Sequence, residues 1–81
     1  MDKKVLLFGK EDCALCLGWK KKLEHAQIPY VYYDVETTDG LVEFAFNNMG
    51  QIPALLIGQR RFEEVNPGAL TTDEIRQYLD E

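Results

Sequence analysis

The chain holds only two cysteines, and they stand three positions apart in Cys13-Ala14-Leu15-Cys16. A bridge between them closes so short a loop that it constrains the unfolded chain very little, which excludes a structural staple of the kind small secreted domains rely on. Long apolar runs are also missing near the start. After Met1-Asp2-Lys3-Lys4 comes Val5 to Phe8, ended by Gly9 and Lys10, and this is too short for a signal-peptide core or a membrane span. Basic charge is in deficit, with 9 Lys and Arg against 14 Asp and Glu and a net charge of -5. That balance argues against broad affinity for nucleic acid or an anionic membrane. The 3 prolines are dispersed, and no linker, repeat or low-complexity tract divides the 81 residues. The expectation is one cytoplasmic, monomeric domain over residues 1–81. In that compartment thiols are kept reduced, so a lone cysteine pair is more often catalytic or metal-binding than structural.

What remains is enough for one sheet and a few helices, since 46% of the residues are hydrophobic and a chain of this length buries one modest core. Val5-Leu6-Leu7-Phe8 is a continuous apolar run, the pattern of a strand covered on both faces. From Cys13 the period changes, and Leu15, Trp19, Leu23 and Ala26 recur at helical spacing with Lys20 to Lys22 on the other side. Ile28 to Val35 is aromatic and β-branched and reads as a second strand, with Pro29 placed for the first residue of an edge strand. Strand, helix and strand in this order form a right-handed parallel βαβ unit.

Thr37 to Asp39 offer helix caps, and Leu41, Val42, Ala45, Phe46 and Met49 then mark an amphipathic helix stopped at Gly50. Ala54 to Ile57 and Arg60 to Phe62 flank Gly58-Gln59, which suits a type II′ hairpin. Thr71 and Glu74 make a capping box with Leu70 and Ile75 as its hydrophobic staple, and Ile75, Tyr78 and Leu79 form the buried stripe. The expected architecture is α/β, a four-stranded mixed sheet in the order βαβ-α-ββ-α with helices on both faces. Lys20 to Lys22 and the pair Arg60-Arg61 read first as a solvated helix face and a hairpin tip. Their functional alternative is a rim that attracts anionic thiols or an acidic partner.

The chemistry concentrates where the first strand's loop becomes the first helix. The leading amides of a helix lack internal partners and carry partial positive charge, which favours a thiolate over a thiol at Cys13. Lys10 acts in the same direction; Glu11 and Asp12 oppose it, Asp12 being read as the N-cap. Residues three apart share a helix side, so Cys16 reaches the sulfur of Cys13 and serves as the resolving thiol. A zinc or iron-sulfur site wants four ligands, and the chain supplies two thiols and a distant His25 at a helix end. No metal is therefore assigned, although a cluster shared between subunits, or an adaptor with an idle cysteine pair, would use the same residues.

Lys10, two residues and then Cys13-x-x-Cys16 is similar to the active-site loop of glutaredoxins, a branch of the thioredoxin superfamily. Ile28 to Val35 resembles their second strand, and Ile52-Pro53 stands where the family has its cis-proline. The resemblance spans essentially the whole chain and implies a thioredoxin-like fold and a dithiol oxidoreductase. It implies that Ile52 and Pro53 bind the substrate by a short backbone β-addition, with Lys10 assisting electrostatically. It implies protein disulfides or glutathione mixed disulfides as substrates. No tightly bound cofactor is implied, only glutathione as co-substrate or a thioredoxin-reductase-type flavoprotein as electron source. Three features depart from the family. Ala14-Leu15 replaces Pro-Tyr between the cysteines, Gln51 replaces threonine, and the Gly-Gly-acid that grips the γ-glutamyl end of glutathione has no match at Phe62-Glu63-Glu64-Val65. Gly50 and Ile52 also resemble residues near the cis-proline of thioredoxins, but the tryptophan before the first cysteine and the intervening Gly-Pro are absent. Trp19 is read as core.

Overall fold

The apolar run at Val5 occupies the interior of a sheet because layers on both sides need covering. The computed structural model describes residues 3–81. These form β1 (Val5–Gly9), α1 (Ala14–His25), β2 (Tyr30–Asp34), α2 (Thr38–Phe46), β3 (Ala54–Ile57), β4 (Arg60–Glu63) and α3 (Thr72–Leu79), with a 3-10 turn at Pro67–Ala69. The sheet order is β2-β1-β3-β4. β1 runs parallel to β2, with Val5 beside Tyr30, and antiparallel to β3, with Val5 beside Ile57. β2 is thus an edge strand, and Pro29 stands just before it with its carbonyl accepting the Val5 amide at 3.0 Å. In the β3–β4 hairpin the positive φ falls on Gly58, at 64°, with Gln59 outside that region, as a type II′ turn requires.

Alternation along the strands splits the core into two layers. Val5, Leu7, Leu55 and Ile57 face Trp19 and Leu23 of α1 and Ile75 and Leu79 of α3. On the other face Phe8 and Ala54 meet Met49 and Phe44, and the Phe8 ring stacks on Tyr33 at 5.2 Å and takes Phe44 edge-on at 5.8 Å. Helices therefore cover both faces. Trp19 is fully buried, and its indole N–H donates to the Val65 carbonyl at 2.8 Å, tying α1 to the segment that follows the hairpin. α3 starts with the expected capping box of Thr71 and Glu74, and both members of its staple, Leu70 and Ile75, are buried.

Four local expectations are corrected. The buried stripe of α1 runs through Cys16, Trp19 and Leu23, while Leu15 lies exposed. Cysteine behaves as a small hydrophobe and takes the inward position. The N-cap is Cys13 rather than Asp12, which is exposed in the loop. α2 ends at Phe46, four residues before Gly50, and Asn48 rather than Gly50 takes the left-handed conformation, at φ 58°. Most of the stripe read into α2 faces outward. Leu41, Val42 and Phe46 are 55%, 58% and 80% exposed, while Gly40 is buried and Phe44 packs on Phe8.

Members of both basic clusters are engaged by the chain itself. Lys22 donates to the carbonyls of Pro67 and Leu70. Arg60 makes a bidentate pair with Glu81, both bonds at 2.8 Å, and lies over the Tyr78 ring. Among the described residues, no helix is long and apolar enough to cross a membrane.

Candidate active site

Gly9 ends β1, and Lys10 to Asp12 turn the chain so that Cys13 caps α1. The cap is a sulfur in place of the usual hydroxyl or carboxylate. Cys13 Sγ accepts the Cys16 amide at 3.1 Å, satisfying one of the helix's unpaired donors. The two sulfurs are paired as a disulfide, with Cα atoms 5.2 Å apart, inside the range that such a bond spans without backbone movement. Their environments differ sharply. Cys13 is half-buried at the surface, whereas Cys16 is 1% exposed within the α1 stripe.

Room for the buried sulfur comes from Gly9. A Cβ built on this residue would stand 2.6 Å from Cys16 Sγ and 2.8 Å from Cys16 Cβ, closer than real side-chain contacts allow. In the sequence alone Gly9 marks only the end of a strand. The signal was its position, four residues before the first cysteine at the point where the second must fold back over the sheet.

Ile52 and Pro53 reach the same end of the sheet from the other half of the chain. The β1–β3 ladder pairs Phe8 with Ala54, so one step further sets Pro53 across from Gly9, the residue against which Cys16 packs. The Ile52–Pro53 peptide bond is cis, Pro53 is buried and Ile52 is half-buried. The Lys10 Nζ lies 3.9 Å from the Asp12 carboxylate in the loop before Cys13. Asp12 is exposed and Lys10 half-buried, and at this distance the pair is weak, so Lys10 is easily diverted to another anion.

Lys10 also lines a groove of about 230 Å³ together with Glu11, Leu17, Lys20 and Tyr32. In the sequence Tyr32 is only one aromatic residue of the second strand, and nothing local marks it as a neighbour of the cysteine loop. Lys20 Nζ lies 4.4 Å from its ring centroid. Burial, then the negative charges of Asp34, Glu11 and Glu36, push its phenol above the ordinary tyrosine range.

No protein-family model matches the chain, and no curated protein does. Solved structures do. Two crystal structures of the thioredoxin-like protein BC3987 superpose with TM-scores of 0.69 and 0.67, the first of them a point mutant. Each is 18% identical in sequence, and each match covers 94% of this chain and 99% or 100% of the other. The fold is thioredoxin-like. On this thioredoxin-like scaffold, a Cys-x-x-Cys pair at disulfide distance, capping the first helix, is consistent with redox function.

Proposed function

We propose that the protein is a dithiol oxidoreductase that reduces disulfides in polypeptide substrates through Cys13 and Cys16. The observation that carries this reading is the asymmetry of the pair: one sulfur at the surface on a helix N-terminus, the other buried directly behind it. In the reduced state the same Cys16 amide faces the Cys13 sulfur and favours its thiolate. That thiolate attacks one sulfur of the substrate disulfide, forming a Cys13–substrate bond, and the departing substrate sulfur takes a proton. Cys16, deprotonated, then attacks Cys13 Sγ and expels the second substrate thiol. Two electrons and two protons pass to the substrate, and the Cys13–Cys16 disulfide remains. An external dithiol or two thiols must reduce it. Ile52 and Pro53 position the substrate chain, and Lys10 supplies positive charge beside the reacting sulfurs.

The test is disulfide reduction by the wild type and by single-cysteine variants, with outcomes argued in the Discussion. A second variant examines the buried thiol alone. Gly9→Ala is expected to leave first attack by Cys13 intact but to slow the resolving step on the order of tenfold to a hundredfold, as misplacement of a reacting atom by about 1 Å does. Rapid-quench mass analysis would show the mixed disulfide accumulating. Resolution at the wild-type rate would mean that Gly9 is not what seats Cys16.

The electron source is read as a thioredoxin-reductase-type flavoprotein rather than glutathione. Glutaredoxins hold the γ-glutamyl end of glutathione with a Gly-Gly followed by an acid, and this chain has no such Gly-Gly at Phe62-Glu63-Glu64-Val65. With oxidised protein as substrate, thioredoxin reductase and NADPH are expected to outpace glutathione with glutathione reductase. Faster turnover with glutathione would reverse this assignment.

A further inference from the structure

The segment leading into Pro53 is held by one exposed carboxylate. Glu63, the last residue of β4, receives the amides of both Gly50 and Gln51 on the same oxygen, the second at 3.0 Å. Nothing about burial forces this contact, since Glu63 is exposed. These two amide bonds hold its carboxyl below the usual carboxylate range. On the far side of the cis bond, the Glu64 amide donates to the Pro53 carbonyl at 3.0 Å. Glu64 adopts φ 52° to do so. The end of β4 thus grips residues 50–53 before and after Ile52. Between the two grips, the Ile52 amide and carbonyl make no hydrogen bond to any described residue. A segment fixed on both sides with a free donor and acceptor between is a template for one more extended strand.

We infer that Glu63 is a positioning residue whose carboxylate holds residues 50–53 in the shape that presents Ile52 to an extended polypeptide disulfide, and so favours polypeptide over small-molecule disulfides. This rests on the redox reading above and deepens it by naming a determinant of substrate class. Fixing the loop in advance removes an ordering cost that each substrate chain would otherwise meet on binding. A small disulfide reaches Cys13 without pairing to Ile52 and gains nothing from it.

The experiment compares reduced wild type, Glu63→Ala and Glu63→Gln on two probes: insulin, and the small neutral bis(2-hydroxyethyl) disulfide. Glu63→Ala is expected to raise KM for insulin by about five- to thirtyfold, the usual range for losing such a hydrogen-bonded contact. The kcat for insulin and the rate on the small disulfide should be unchanged. Glu63→Gln keeps an acceptor oxygen and should restore most of the insulin KM. Amide hydrogen exchange at Gly50 and Gln51 should quicken in the alanine variant. Unchanged insulin KM in Glu63→Ala overturns the inference and leaves the redox reading standing. Equal losses on both probes overturn it also, because they mark a general structural role. A wild type inactive on both probes defeats the redox reading itself, and the inference with it.

Discussion

Cys13→Ser is expected to reduce disulfide reduction to the uncatalysed rate, whereas Cys16→Ser is expected to halt the cycle one step later with substrate still attached. The difference follows from where the two sulfurs lie. A serine hydroxyl at position 13 would sit on the same helix start and accept the same Cys16 amide, so helix capping survives. What it lacks is nucleophilicity, because a hydroxyl without an adjacent base stays protonated at neutral pH. Cys16 is 1% exposed and cannot substitute as the attacking group. With Cys16→Ser the surface thiolate still attacks, and the mixed disulfide has no internal thiol to resolve it. Intact-protein mass analysis after incubation with insulin should show a covalent adduct for Cys16→Ser and none for Cys13→Ser. Full insulin reduction by Cys13→Ser would end the proposed mechanism.

A second large effect is expected far from any sulfur, at Gly40. In an exposed helix, Gly→Ala ordinarily stabilises by up to about 1 kcal/mol. Here the sign should reverse. A Cβ on Gly40 would lie 1.8 Å from the Asp34 carbonyl oxygen, and that oxygen is fixed by hydrogen bonds from both the Thr37 amide at 3.0 Å and the Thr37 hydroxyl at 2.7 Å. The neighbour is backbone and cannot swing aside, so α2 must lift from the end of β2. Lifting it also pulls Phe44 off Phe8. The expected cost is about 3 kcal/mol, the upper end of overpacking effects, from a total that for such domains is about 5–15 kcal/mol. Urea denaturation should show a clear fall in midpoint. A variant as stable as the wild type would mean that the contact between α2 and β2 is looser than described.

The cysteine pair and Gly40 differ in how much of their setting is local in the sequence. The strands were legible because Val5 to Phe8 and Ala54 to Ile57 are unbroken apolar runs between turn residues. The last helix was legible because the Thr71 and Glu74 capping box and its staple are local, satisfied within a few residues. The roles proposed for Cys13 and Cys16 rest on one local fact, that the first cysteine meets a helix start. α2 failed the same treatment. Periodicity sorts side chains by hydrophobicity, and the residue that decides how α2 docks is Gly40, which has no side chain to count. Close approach at Gly40 turns Phe44 inward and leaves Leu41, Val42 and Phe46 outside. In α1 the error was smaller and of the same kind. Leucine has the larger apolar side chain, yet Cys16 faces inward and Leu15 does not.

The Cys-x-x-Cys spacing, the helix beneath it and the order of the elements were determined by sequence alone, because each depends on residues within a few positions of one another. Only the tertiary structure decided that Gly9 makes the space for Cys16, that Pro53 lies across the sheet from Gly9, and that Glu63 holds the Gly50 and Gln51 amides. Each of these joins parts of the chain that only sheet register and helix docking bring together, and no local pattern encodes that distance.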